Sequence, residues 1–167
     1  QNQISEFVKD VRKITKNAGI LLTTVVFPDL NKSKSTKMQN WKTWSMNNYV
    51  DGLTPLILTG DKNTADILIR DVVNNSSSMT NIYPGIFVTF MGGPIDNLLV
   101  QIHKTREFKT NGAILFDYAH LSDNYIDALT TRVYNSNYDP RDVKVKEEYK
   151  PTVKLGEKKK KKLRNKN

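Results

Sequence analysis

Ile20-Leu21-Leu22-Thr23-Thr24-Val25-Val26-Phe27, closed by Pro28, is apolar on both faces and rich in β-branched residues. Side chains alternate across a strand, so a run with no polar face reads as a strand buried on both sides, as in parallel sheets. Upstream, Ile4, Phe7, Val8, Val11 and Ile14 recur at helical spacing with charges between them. Asn17-Ala18-Gly19 stops that helix, glycine suiting a left-handed residue.

The alternation continues downstream. A polar loop over 31–37 leads to a helix around Trp41 and Trp44, whose spacing puts both indoles on one packing face. Residues 51–58 read as a second strand, with Pro55 tolerable near a strand start or bulge. Asp51 stands at the very start of that strand, at the pole away from any chemistry, and reads as structural. Ala65, Leu68, Ile69, Val72 and Val73 give a helical stripe. Gly85-Ile86-Phe87-Val88-Thr89-Phe90-Met91 reads as a third strand. Gly92-Gly93-Pro94 opens a helix with Ile95, Leu98, Leu99 and Ile102 on its buried face, and Asn111-Gly112 closes it. Ala113-Ile114-Leu115-Phe116-Asp117-Tyr118 reads as the fourth strand, and Ser122 as the cap of a last helix carrying Ile126, Leu129 and Val133.

Strand starts near 20, 52, 85 and 112 are spaced like βαβ units, which makes the fold α/β with a parallel sheet of four βα units. Two architectures fit: the C-terminal half of a (β/α)8 TIM-type barrel, or a small doubly wound sheet. The α/β unit occupies 1–138 and a basic, flexible tail occupies 139–167. Four units leave two open edges and an unfilled interior, so the expectation is a homodimer closing a barrel-like assembly, or a longer polypeptide supplying the missing N-terminal half.

Composition narrows the function. The 167 residues include no cysteine, which excludes disulfides, zinc-cysteine sites and thiol nucleophiles. No apolar run reaches the roughly 18 residues of a membrane span. The start shows no signal peptide, and Gln1 in place of Met points to a processed or excised chain. The net charge of +9 is concentrated after Arg141. Lys158-Lys159-Lys160-Lys161-Lys162 reads first as a solvated tail, and second as a salt-sensitive contact for a polyanion such as cell-wall polymer, acidic lipid or RNA. Walker, dinucleotide and His-Glu metal patterns are missing, so no cofactor and no metal are expected.

Phe27-Pro28-Asp29, Gln39-Asn40-Trp41-Lys42-Thr43-Trp44 and Tyr49-Val50-Asp51-Gly52-Leu53-Thr54-Pro55-Leu56 stand in a telling order with Tyr83-Pro84-Gly85-Ile86, Gln101-Ile102-His103, Arg106 and Gly112-Ala113-Ile114-Leu115-Phe116-Asp117-Tyr118. This series resembles the second half of glycosyl hydrolase-like family ten, over roughly residues 3–134. The resemblance implies a bacterial, secreted or cell-surface protein related to glycosidase barrels. It implies hydrolysis of an O-glycosyl bond in a polysaccharide or cell-wall glycan. In many related barrels the general acid ends the fourth strand, a position outside this chain.

Barrel chemistry gathers at the C-terminal ends of strands, which here supply Asp29, Thr59, Asp61, Met91, Asp117, Tyr118 and His120. Asp117 is the best-placed catalytic carboxylate and Asp29 the second candidate. The structural alternatives are a strand-end Asp bonded to loop amides and a turn residue after Pro28. Phe27 and Tyr118 are candidates to stack on a sugar face, although rim packing explains them too. Met91 is a candidate lining residue, and His120 a candidate for proton transfer, imidazole being the side chain suited to that task near neutral pH. His103 reads as a surface residue. The competing function is a non-catalytic carbohydrate- or surface-binding protein with the same mouth as a cleft and the Lys tail as anchor.

Overall fold

The computed structural model describes residues 2–92 and 95–134; Gly93-Pro94 and the basic tail, with Lys158-Lys159-Lys160-Lys161-Lys162, lie outside them. Helix α1 (Asn2–Asn17) ends in a Schellman turn. In that turn Ile20 N–H donates to Thr15 O, Gly19 N–H donates to Lys16 O, and Gly19 takes φ +69°. The strands are β1 (Thr23–Val26), β2 (Gly52–Ile57), β3 (Asn81–Ile82), β4 (Gly85–Phe87) and β5 (Ile114–Phe116). Between them run α2 (Leu30–Thr36), α3 (Trp41–Met46), α4 (Lys62–Asn75) and α5 (Asp96–Glu107). Helix α6 (Asp123–Ala128) continues into a wider turn to Val133. All pairings are parallel, in the order β1-β2-β4-β5 with β3 beside β2. The fold is α/β with a parallel sheet.

One face of that sheet carries the core. Register places Val26 opposite Pro55, Leu53 opposite Ile82, Ile57 opposite Ile86, and Ile86 opposite Leu115. These side chains pack with Val8 of α1, Trp41 and Trp44 of α3, Ala65, Ile69 and Val72 of α4, Leu98, Leu99 and Ile102 of α5, and Leu129 and Val133. The other face presents Val25, Thr54, Leu56, Gly85, Phe87, Ile114 and Phe116, and none of them enters a core cluster. A doubly wound sheet has helices on both faces and a reversal of strand order. Neither is present among the described residues, so that alternative is set aside.

The one-sided core corrects the first strand. Ile20, Leu21 and Val25 are 58%, 73% and 51% exposed, and only Val26 of β1 is buried. β1 is an edge strand with a helix on one side alone. On its free edge the Gln39 amide stands in for a neighbour, accepting from Phe27 N–H and donating to Val25 O. Of the α1 stripe only Val8 is buried, packed in the cluster that holds Val26, Leu53 and the two α3 indoles; Ile4, Phe7 and Ile14 are exposed. Of residues 31–37, expected as a loop, all but the C-cap Lys37 lie in α2, which Asp29 caps at its start. The third strand is cut short at Phe87 by a 3₁₀ turn over Val88–Phe90.

Pro55 keeps its place in β2 because its missing donor is not wanted. It shares the parity of Asp51 and Leu53, whose carbonyls accept from Asn81 and Tyr83 N–H, so its nitrogen faces the Tyr83-Pro84 break between β3 and β4. Asn111 does not close α5. Lys109 takes the left-handed position after that helix, and Asn111 instead clamps Ile82 by its N–H and its Oδ1. Ser122 sits at the α6 cap with its backbone carbonyl, not its side chain, accepting the first helical bonds.

Asp51 is structural, as expected. It accepts from both terminal nitrogens of the Arg12 guanidinium, one at 2.6 Å, and from Leu22 N–H at 2.7 Å. Helix α1, the entry to β1 and the entry to β2 are thereby tied at one mostly buried carboxylate. Asp51→Ala removes charge-assisted bonds at all three, an expected loss of about 2–3 kcal/mol, read as a lower urea midpoint. Glu6→Ala, which breaks only the exposed pair with Lys9, should leave the urea midpoint where it is in the wild type.

Candidate functional site

Parallel strands end at one pole, and there the sequence places Phe27-Pro28-Asp29 after β1, Leu58-Thr59-Gly60-Asp61 after β2 and Asp117-Tyr118-Ala119-His120 after β5. Two of the three aspartates cap helices and the third does not. Asp29 is the N-cap of α2: Oδ1 accepts from Lys32 N–H at 2.8 Å, and Oδ2 lies 3.8 Å from Lys32 Nζ. Asp61 caps α4, accepting from Thr64 N–H and Thr64 Oγ1, and these bonds hold its carboxyl below the usual carboxylate range. Asp117 makes no side-chain cap bond. Its Oδ1 lies 2.7 Å from His120 Nδ1 across a 3₁₀ turn over Tyr118–His120.

The Asp117–His120 pair has a definite chemical character. The hydrogen bond from His120 is the largest cause holding the Asp117 carboxyl below its ordinary value. A carboxylate at Nδ1 favours the proton on that nitrogen and leaves Nε2 as the basic site of neutral imidazole. Both side chains are more than half exposed, so the pair is solvated rather than buried.

The two proposed catalytic carboxylates are not brought together. β1 and β5 are the outermost strands of the order β1-β2-β4-β5, three strand spacings apart. That is about 14 Å, beyond the roughly 5–9.5 Å that separates paired carboxyls in glycosidases. Met91, expected to line the site, is fully buried among Ile86, Leu98, Leu99 and Ile102. The early end of β4 turns it into the core and removes it from the site. Tyr118 is 84% exposed, free of the rim packing that would have explained it. His103 is half-buried, with Nδ1 enclosed and without a hydrogen-bond partner among the described residues.

A cavity of about 300 Å³ opens beside Phe27 at the same pole. Its walls include Pro28, Leu56, Leu58 and Leu68, and Lys32, Thr36 and Lys37 of the α2 segment border it. Lys37 Nζ stands 4.7 Å from the centroid of the Phe27 ring. Reading 31–37 as a loop hid these lysines. The available signal was Asp29, a residue that favours helix N-caps, directly before Leu30. Among the described residues no group of three or more His, Asp or Glu is placed to hold a metal ion, and no helix is long and apolar enough to cross a membrane. No family model matches the chain, and no curated protein matches its sequence.

A depressed carboxyl pKa fixes the sign of a pH effect. The contribution of the Asp117–His120 bond is fully present above the unfolded aspartate value, about 3.9, and is lost as pH falls through the lower folded value. A carbon-13 titration of the Asp117 carboxyl should give a midpoint below that of an unstructured aspartate, and His120→Ala should raise it. An Asp117 midpoint indifferent to His120→Ala would refute the bond.

Proposed function

We propose that these four βα units are the rear part of a glycosidase-like (β/α)8 barrel that hydrolyses an O-glycosidic bond in a polysaccharide or cell-wall glycan. The observation that carries this reading is the parallel sheet with all core-forming helices on one face and Asp117, His120, Phe27 and Tyr118 at the strand-end pole. The resemblance to glycosyl hydrolase-like family ten supports it and adds a secreted or cell-surface bacterial setting.

In this reading Asp117 stabilises the oxocarbenium-like centre that develops as the glycosidic bond lengthens. His120 holds or moves a proton through Nε2 while Asp117 fixes its ring. Tyr118 offers an open ring face to a sugar. The second carboxyl belongs to the other half of the barrel, from a longer polypeptide or a second copy, because Asp29 is committed to the α2 cap.

That same commitment favours a second reading, a carbohydrate- or surface-binding protein without hydrolysis, its Lys158-Lys159-Lys160-Lys161-Lys162 run anchoring it to a polyanion. Asp117→Asn separates the two. Under the first, glycan hydrolysis drops by about 100-fold or more while glycan binding survives. Under the second, the wild type binds glycan and releases no reducing ends. Wild-type hydrolysis that Asp117→Asn leaves intact would remove Asp117 from the mechanism.

A further inference from the structure

The cavity beside Phe27 has a chemistry of its own, separate from the Asp117–His120 pair on the opposite edge strand. We propose that it binds a small carboxylate with a compact apolar body, the body against Phe27, Pro28, Leu56, Leu58 and Leu68 and the carboxylate at Lys37.

Three observations carry this. The walls are apolar, and Leu58 remains substantially exposed although it follows a core strand, so a nonpolar occupant would remove its surface from water. The border carries two lysines and Asp29, and one of the lysines has no carboxylate partner among the described residues. Lys32 faces Asp29, which already serves α2, whereas Lys37 has no carboxylate partner among the described residues and rests on the Phe27 ring. A solvent-exposed cation on a ring face is weakly held, so a carboxylate can recruit it without breaking an ion pair.

The third observation concerns what the cavity does not offer. Two of its three hydroxyls spend their protons within the chain, Thr36 Oγ1 donating to Lys32 O and Thr64 Oγ1 to Asp61, which leaves only the Thr59 O–H as it accepts from Asp61 N–H. A sugar ring needs many hydrogen-bond partners and finds few, while an aryl or branched alkyl carboxylate needs one cation and apolar walls. At about 300 Å³ the cavity takes a molecule at the small end of the usual ligand range. The inference thus goes beyond the glycan reading and does not rest on it.

Benzoate is the probe, with benzyl alcohol as its neutral counterpart of similar size and acetate as the charge without the body. Amide shifts in the intact chain should saturate with benzoate at about 10 mM or tighter, over 27–37 and 56–68. Benzyl alcohol, acetate, and benzoate on Lys37→Ala should each bind about fivefold more weakly or worse, the reach of an exposed charge contact or of the lost apolar body. Lys37 is exposed, so Lys37→Ala should melt with the wild type, while Lys13→Ala, far from the cavity on α1, should leave benzoate binding unchanged. Equal binding of benzyl alcohol, equal binding of acetate, an indifferent Lys37→Ala, or no saturation would each overturn the proposal.

Discussion

Coverage of the sheet by helices on one face only is the constraint that shapes every other part of the structure. Strand residues of one parity, from Val26 through Leu53, Ile57 and Ile86 to Leu115, meet α1, α3, α4, α5 and the α6 turn. Residues of the other parity meet each other. Phe87 and Phe116 stack at 4.8 Å, and Gly85 permits it, since a Cβ there would come within 2.8 Å of the Phe116 ring. The same one-sidedness leaves β1 and β5 as edges, and on β1 the Gln39 amide satisfies two backbone groups that would otherwise invite another strand.

The strand-end pole owes its division of labour to the element that succeeds each strand. A helix that begins there has unsatisfied amide protons, and the nearest aspartate is drawn in to cap them. Asp29 and Asp61 meet that fate at α2 and α4. After β5 the chain makes one tight turn instead of a longer helix, and the Asp117 carboxylate, with the Ala119 and His120 amides also lowering its pKa, reaches the imidazole three residues on. The chemical distinctness of Asp117 is thus a consequence of backbone geometry.

Much of the fold was legible because period-2 and period-3.6 patterns carry it. The four main strands, the Gly19 stop, the Trp41–Trp44 packing face and the structural role of Asp51 all emerged from spacing and residue type. The features that escaped depend on tertiary context. Both faces of Ile20 to Phe27 are apolar, but nothing in the string says that one face lacks a helix. Helix α2 has no apolar stripe and persists on its Asp29 cap and on Ser33, Ser35 and Thr36 hydroxyls bonding back to the preceding turn. Met91 looked like a strand-end residue, and the 3₁₀ turn at Val88 turned it inward. For the site, the strand-end rule brought Asp117 and His120 to one place, while Asp29, for which the sequence left a turn residue as the alternative, caps α2, since a cap and a catalytic carboxylate look alike in sequence.

The uncovered face bears directly on how strong any chemistry at this pole can be. Attraction between a carboxylate and a positive centre is several-fold weaker in bulk water than at the lower effective dielectric of a protein site. Asp117, more than half exposed on an edge strand, sits near the weak limit. Excluding water from it requires a wall opposite Phe87, Ile114 and Phe116, the same apolar residues that the one-sided core leaves open. Packing and electrostatics therefore make one demand: a cover that buried the aromatics of this second face would also lower the dielectric around the carboxylate at its rim.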